Sequence, residues 1–217
     1  MLDATNQLED DRLFSAVLRE VVEYYVGHGV KIFNVSINDR YQRWNQTNKR
    51  TVPRRSWTAR TIDSLTRKYD VLFVVSTGNI QLPDANFYLN DGKNYPDYLL
   101  EEDSCVPDPG QAALALTIGS VALSTLIAGP MGRTRAAAPA NQPSPFTRCG
   151  PGIRKEIKPE LVEYGGNYSL TEENPRRFGT NRGLDVPMAS HRLTPSLSHA
   201  SGTSFAAARV RAPSSPP

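Results

Sequence analysis

Two short segments of the sequence contain residue types that together could hydrolyse an acyl bond. The segment "GTSFAA" (residues 202–207) places Ser204 ahead of a run of small residues. A serine at a helix N-terminus exposes its hydroxyl as a nucleophile, and its backbone N–H can donate to a developing oxyanion. The segment "STGN" (residues 76–79) ends an apolar run, where the side-chain amide of Asn79 can supply a second donor. The two segments therefore predict Ser204 as a nucleophile and Asn79 as an oxyanion donor.

Each segment also has an interpretation without chemistry. Ser204 fits an ordinary Ser/Thr helix cap, and Gly-Asn is a common turn dipeptide. A serine hydroxyl is moreover a poor nucleophile without a general base. The candidates for that base are His28, which lies at the end of a helix, and His191 and His199, which lie in the loop before Ser204. We expect none of the three histidines to be catalytic, and Asp3 is not expected to be the catalytic acid because no strand precedes it.

The hydrophobic pattern predicts an α/β fold with a mostly parallel sheet and helices on both faces. Apolar residues at helical spacing start near residue 11 and stop near "GHG" (27–29), and Ser56 is expected to cap a second helix. The continuous apolar run "VLFVVS" is typical of a parallel strand that is buried on both faces. Strands are predicted over residues 30–37, 71–76 and 113–121, with a short fourth strand and a tight turn within "KPELVEYGG" (158–166). Residues 80–110 are predicted to be irregular.

The overall composition argues against several classes of protein. The 217 residues carry a formal net charge of +3, which favours neither nucleic acid nor an anionic membrane as a partner. No apolar run has the length of a membrane span, and the acidic start is unlike a signal peptide, so a cytoplasmic location is favoured while the compartment stays open. Cys105 and Cys149 fit no zinc motif, and the sequence leaves open whether they pair or remain thiols. The oligomeric state is also open.

Six segments along the chain resemble the subtilisin-like serine proteases (subtilases, peptidase S8 family), and they occur in that family's order. "GTSFAA" is similar to the nucleophile motif, and "VLFVVSTGN" is similar to the strand that leads to the oxyanion-hole asparagine. "GVKIFNVSI" resembles the substrate-lining strand, and "ALTIGSV" resembles the strand that follows the oxyanion loop. "SPFTRCGPG" and "IKPELVEYGG" are similar to two segments that precede the nucleophile.

This resemblance implies a three-layer, subtilisin-like fold and peptide-bond hydrolysis through an acyl-enzyme at Ser204, with Asn79 in the oxyanion hole. A peptide or protein substrate would bind as an added strand, through main-chain hydrogen bonds. No cofactor is needed for this chemistry, and no cluster of ligands is assigned to a metal. The residues implied to line the groove are Ser36, Ile37, Asn38, Ser76, Thr77 and Gly78.

The sequence departs from the family pattern at both ends. The triad follows the chain order Asp, His, Ser, and the first two belong before the first matching segment, so we expect no general base or acid in this chain and no activity of the chain alone. After Val210 the chain reads "RAPSSPP", which cannot continue a helix. We expect an N-terminally truncated catalytic domain at residues 1–210, with a basic surface insertion at 39–55, a low-complexity loop at 124–143 and a disordered Pro/Ser tail at 211–217.

Three other functions are compatible with parts of the sequence. A non-catalytic subtilase-like module for peptide binding or regulation fits the expected absence of Asp and His. A nucleotide-binding domain would use "STGN" as a phosphate loop, but the Gly-rich fingerprint and the P-loop lysine are missing. Nucleic acid could bind the basic and aromatic residues between 40 and 60, for which a solvated insertion is the simpler interpretation.

Overall fold

The computed structural model describes residues 13–43, 55–130, 132–190 and 196–210. In chain order its helices are α1 (Phe14–Val26), α2 (Trp57–Tyr69), α3 (Leu82–Asn90) and α4 (Thr203–Arg209). Its strands are β1 (Ile32–Val35), β2 (Asp39–Arg43), β3 (Leu72–Ser76), β4 (Pro107–Asp108), β5 (Leu116–Val121), β6 (Thr134–Ala136), β7 (Leu161–Tyr164), β8 (Ser169–Thr171), β9 (Arg177–Gly179), β10 (Val186–Ala189) and β11 (Leu197–Ala200). One-turn 3₁₀ helices lie at Asp97–Leu100, Glu102–Ser104 and Ile153–Lys155.

The central element is a four-stranded sheet in the order β1-β3-β5-β7. Each neighbouring pair in this order is parallel, as the sequence predicts. The carboxyl ends of the four strands therefore meet at one edge of the sheet, and the amino ends meet at the other. Ligands of open parallel sheets bind at the carboxyl edge.

Helices cover both faces of this sheet, which confirms the predicted architecture. Successive side chains of β3 alternate between the two faces. Phe73 and Val75 pack in one cluster with buried residues of α1 and α2. Val74 packs on the opposite face in a second cluster with Ala206 and Ala207 of α4. The small side chains of α4 allow this short helix to approach the sheet closely.

Local sequence signals account for several element ends. Ser56 caps α2 as predicted, because its Oγ accepts a hydrogen bond from the Ala59 N–H at 3.0 Å. Gly29 ends the turn after α1 with a φ of +84°, and Gly166 makes the tight turn after β7 with a φ of +101°. Both angles lie in the left-handed region that glycine adopts at little cost.

Two segments contain more structure than the sequence predicts. Residues 80–110, expected to be irregular, contain α3, whose Tyr88 ring stacks on the buried Tyr98 at 5.2 Å between ring centroids. The segment 124–143, expected to be a low-complexity loop, contains β6, which pairs with β8, and two buried alanines, Ala137 and Ala138. These residues form an antiparallel sheet and an aromatic core beside the parallel sheet.

The predicted insertion at 39–55 begins with strand β2, which pairs antiparallel with β4, and ends at the half-buried Arg55. Residues 44–54 lie outside the described residues, as do Asp3, His191 and the tail at 211–217. Within the described part of the chain, no helix combines the length and apolar character needed to cross a membrane.

Candidate active site

Asn79 lies just beyond the carboxyl end of β3, in a loop that is held on both sides. Gly78 before it has a φ of +80°, and a Cβ there would lie 3.2 Å from Cγ of Asn38, so a side chain fits poorly. Asn79 forms an antiparallel β-bridge with Thr147, and its carbonyl accepts a hydrogen bond from Arg148 Nε at 3.2 Å. The backbone of the loop is thereby fixed to the segment that follows residue 145.

The side chain of Asn79 binds the start of α4, where Ser204 is the second residue. Its Oδ1 accepts hydrogen bonds from the Thr203 N–H at 2.9 Å and from the Thr203 hydroxyl at 3.0 Å. These two bonds fix the orientation of the amide, and its Nδ2 lies where a Cβ on Gly202 would approach to 3.2 Å. Within the described residues Nδ2 has no hydrogen-bond partner. The fold thus joins two segments that are 124 positions apart.

The turn before Ser204 is anchored to the loop after β7. The Gly202 N–H donates to the Gly165 carbonyl at 2.8 Å. A Cβ on Gly165 would lie 2.4 Å from the Ser120 hydroxyl oxygen, so only glycine allows this approach. The Ser201 hydroxyl donates to the Asp185 carboxylate. Among the described residues the Ser204 hydroxyl has no hydrogen-bond partner, and Ser204 is half-buried.

The two predicted groove segments lie side by side at the ends of β1 and β3. Asn38 Nδ2 donates to the Ser76 carbonyl at 2.9 Å, and Ser76 Oγ donates to Asn38 Oδ1 at 3.1 Å. Ser76, Thr77 and Gly78 are buried. The Ser76 carbonyl and the Thr77 N–H are both hydrogen-bonded within the protein, the N–H to the Ile118 carbonyl at 3.0 Å. Ser36 and Ile37, which follow β1, are exposed.

The described histidines make their contacts elsewhere. His28 lies at the end of α1, where its Nδ1 is 2.9 Å from the Tyr24 carbonyl oxygen and its ring packs against the Tyr24 ring at 4.5 Å. His199 lies in β11, paired with Pro187 of β10. In the part of the chain that the structure describes, neither ring forms a hydrogen bond with Ser204.

The tyrosines near the site are structural donors. Burial raises the pKa of Tyr168 to about 12, and its hydroxyl donates to the Ile80 carbonyl at 3.2 Å, next to Asn79. Burial also raises the pKa of Tyr98, whose hydroxyl donates to the Pro145 carbonyl at 2.5 Å. Both phenols therefore stay protonated at neutral pH and cannot replace a histidine base. Across the described ranges, no three His, Cys, Asp or Glu residues are grouped to hold a metal ion.

The sequence motifs identified Ser204 and Asn79, but they did not identify the residues that join them. Thr203 carries both bonds to Asn79, while Thr147 and Arg148 hold its backbone. Thr203 lies inside the "GTS" motif, so that motif was the one sequence signal that could have identified it as a partner of Asn79. Thr147 and Arg148 become relevant only through tertiary contacts.

The parallel sheet with helices on both faces, and a serine at the start of α4 beside Asn79, define a protein of the subtilisin-like protease class. The chain matches the model of peptidase S8, the subtilase family, over residues 5–212, and it belongs to that family.

Three proteins are examples of those similar to this chain. The chain is 35% identical over 193 residues to y4bN, an uncharacterised protein of Sinorhizobium fredii, covering 84% of this chain and 42% of y4bN. Among solved structures it resembles the epidermin leader peptide processing serine protease EpiP from Staphylococcus aureus, with a TM-score of 0.50, 12% identity, and coverage of 92% of this chain and 43% of EpiP. The PatG macrocyclase in complex with peptide gives a TM-score of 0.48, 14% identity, and coverage of 93% of this chain and 40% of PatG. At 12% identity the similarity to EpiP shows the fold alone. The chain spans less than half the length of each of these three proteins.

Proposed function

We propose that this chain carries the nucleophile and the oxyanion donors of a subtilase-type serine endopeptidase. Ser204 attacks the carbonyl carbon of the scissile peptide bond, and Asn79 Nδ2 and the Ser204 N–H stabilise the oxyanion that forms. The observation that carries the proposal is the pair of hydrogen bonds from Thr203 to Asn79 Oδ1. They orient the amide beside the nucleophile and leave Nδ2 without a partner among the described residues.

The substrate is proposed to be an extended peptide that adds to the ends of β1 and β3. Backbone groups of residues 36–38 would pair with it, as in other cases of strand addition, and residues 76–78 would form the floor beside them. Strand β1 stands at the end of the strand order of the parallel sheet, and Ser36 and Ile37 after it are exposed, which supports recognition through this backbone. A polypeptide is therefore the substrate class that fits this edge of the sheet.

The reaction also needs a general base, which takes the serine proton and returns it to the leaving amine. In subtilases this is a histidine that an aspartate orients. His28 is hydrogen-bonded to the Tyr24 carbonyl, and His199 lies in strand β11, paired with β10. Within the described residues neither histidine is bonded to Ser204. We therefore propose that the chain as given is inactive and that a segment bearing Asp and His has to supply the base.

A second candidate is a non-catalytic peptide-binding or regulatory module. The lack of a histidine bonded to Ser204 in the described residues favours it. This module would use the same edge of the sheet and bind peptides without cleaving them. Peptide binding alone cannot separate the two functions, whereas turnover in the presence of a base can.

The test compares the chain with a version extended at its N-terminus by an Asp- and His-bearing segment, taken from upstream coding DNA or from a related subtilase. We expect no hydrolysis of fluorogenic peptides by the chain and clear hydrolysis by the extended version. Ser204→Ala in the extended version should lower turnover by about 10⁶-fold, the loss seen in subtilisin itself. Peptide binding without turnover in the folded extended version would support the non-catalytic module. Efficient turnover by the chain alone would contradict its inactivity, and His28, His191 and His199 would then be replaced one at a time.

A further inference from the structure

Cys105 and Cys149 lie opposite each other in a parallel β-bridge. The Cys149 N–H donates to the Ser104 carbonyl at 3.2 Å, and the Val106 N–H donates to the Cys149 carbonyl at 3.0 Å. Neighbouring strands lie about 4.8 Å apart. A disulfide needs Cα atoms about 4.4–6.8 Å apart, so the backbone of this bridge already has the spacing that a disulfide requires.

The two sulfur atoms are directed at the same short segment. Cys149 Sγ donates to the Leu99 carbonyl at 2.8 Å, and Cys105 Sγ lies 4.0 Å from the Glu101 carbonyl oxygen. Cys105 is only 4% exposed, whereas Cys149 is half-buried. Both are thiols in this structure. Cys149 is therefore the more exposed residue of the pair, and Cys105 is its partner across the bridge.

We infer that Cys105 and Cys149 are a disulfide-forming pair. This covalent modification site would link segment 103–106 to segment 146–149, which contacts the loop that carries Asn79.

The location of the pair connects it to the candidate active site. The Ile80 N–H donates to the Phe146 carbonyl at 2.7 Å, and Arg148 Nε donates to the Asn79 carbonyl at 3.2 Å. Arg148 Nη1 also donates to the Asp103 carbonyl at 2.5 Å. The segment 146–149 therefore contacts the Asn79 loop and the segment 103–106. A disulfide between these two segments restrains the backbone that holds the oxyanion donor.

Glutathione disulfide is a sufficient oxidant for the reaction. The Cys149 thiolate attacks one of its sulfurs, which forms a mixed disulfide and releases one glutathione thiolate. The Cys105 thiolate then attacks Sγ of Cys149, which forms the protein disulfide and releases the second glutathione. Two electrons pass from the protein to glutathione, and the two thiol protons end on the two released glutathione molecules.

The pH dependence of the first step follows from burial. Burial raises the pKa of the Cys149 thiol to about 11, and the neighbouring Cys105 adds to this shift. Only the thiolate attacks. The rate of disulfide formation should therefore rise about tenfold for each pH unit between roughly pH 7 and pH 9.

The test incubates the folded chain with glutathione disulfide, alkylates the remaining thiols and measures masses of the intact chain and of its peptides. We expect a monomer that has lost two hydrogens and a peptide pair linked through Cys105 and Cys149. The melting temperature should rise by about 5–15 °C, because a disulfide of this loop length restrains the unfolded chain. Hydrogen exchange of the Ile80 amide should slow on oxidation.

The variants Cys105→Ala and Cys149→Ala distinguish formation of the Cys105–Cys149 disulfide from independent oxidation of each thiol. Cys105→Ala should stop at the glutathione adduct of Cys149, and Cys149→Ala should react slowly or not at all. If a variant does not fold, the masses of the unaltered chain decide by themselves. Two alkylated thiols, two glutathione adducts or a disulfide-linked dimer would overturn the inference. None of these readouts depends on peptide hydrolysis, so a failure here is distinct from a failure of the proposed protease function.

Discussion

The two edges of the parallel sheet each contain a polar cluster, and the clusters differ in how completely they are hydrogen-bonded. Near the amino ends of β5 and β7, the Lys158 ammonium donates to the Ala112 carbonyl at 2.8 Å, to the Thr117 hydroxyl at 3.0 Å and to the Glu160 carboxylate. The Lys158 side chain is 2% exposed. All three of its donors are used, which is the arrangement expected of a buried charge that stabilises the fold.

The cluster at the carboxyl edge is only partly bonded. Asn79 uses its acceptor on Thr203, while its Nδ2 and the Ser204 hydroxyl have no partner among the described residues. Both residues are half-buried rather than sealed. Because ligands of open parallel sheets bind at the carboxyl edge, these donors are free to bind a substrate under the proposed function. The comparison predicts that changes at the two edges affect different measurements.

The largest expected effect is that of Asn79 on turnover in the N-terminally extended protein. Asn79→Ala removes the oxyanion donor and should lower turnover by about 10²–10³-fold, or roughly 2.7–4 kcal/mol. Asn79→Asp keeps the acceptor for Thr203 but loses the donor, so it should lose comparable activity with less loss of stability. Peptide hydrolysis and thermal unfolding measure the two effects separately.

Asn86→Ala is the matched control for this prediction. The Asn86 amide also binds backbone groups, donating to the Phe178 carbonyl at 3.2 Å and accepting from the Phe178 N–H at 2.7 Å. This change should lower stability and leave turnover of the folded protein unchanged. Equal losses of turnover for Asn79→Asp and Asn86→Ala would show that Asn79 acts only through the fold.

The cluster around Lys158, whose donors are all bonded, should respond in the opposite way, with a change in stability rather than in turnover. Lys158→Met removes the side-chain partner of the buried Ala112 carbonyl and one of the two partners of Glu160, which keeps the Thr117 N–H at 2.8 Å, and it should lower the free energy of unfolding by about 2 kcal/mol. Arg135→Met, which removes the exposed pair with Glu172, should change stability little. Urea unfolding of the chain measures both variants. A Lys158→Met protein as stable as the parent would remove the distinction between the two edges.

The smallest expected effect concerns Asp108, the last residue of β4, whose carboxylate lies against the N-terminus of α2. Its carboxylate accepts a hydrogen bond from the Ser56 hydroxyl, and burial, with the charge of Asp39 adding to it, raises its pKa above the usual 3.8. The folded state therefore favours the protonated form. The stability that this group contributes is fully present below about pH 3.8 and is lost as the pH rises through the folded-state pKa.

Asparagine imitates the neutral carboxyl, so Asp108→Asn should raise the free energy of unfolding at pH 7. The gain should disappear near pH 3, where Asp108 itself is protonated. Asp97→Asn, the same change at an exposed position, is the matched control. Urea unfolding across this pH range checks the sign, and a loss of stability at pH 7 would contradict it.

The sequence predicted those parts of the fold that local signals specify. The apolar run of β3 and the Ser56 cap of α2 need no distant residue to be recognised. Helix α3 was missed because its face is completed by distant aromatics such as Tyr98. Strand β6 was missed because its sequence is rich in small residues, and pairing with β8 gives it structure.

The site was predictable to a similar degree. Ser204 and Asn79 could be named as candidates because the residues next to them in sequence, "GTSFAA" and "STGN", form short recognisable motifs. The bonds through Thr203, Thr147 and Arg148 join segments far apart in the chain, and no local pattern encodes such contacts.

The most direct test of the central claim, that this chain holds the nucleophile and oxyanion donor without the base, is labelling by a serine-directed fluorophosphonate. The chain and its extended version, both verified as folded, would be reacted in parallel, and the labelled residue would be identified by mass spectrometry. We predict rapid labelling of Ser204 in the extended version, labelling slower by at least about 10³-fold in the chain alone, and none in Ser204→Ala. Equal labelling rates in the two proteins, or a label on another serine such as Ser201, would contradict the claim.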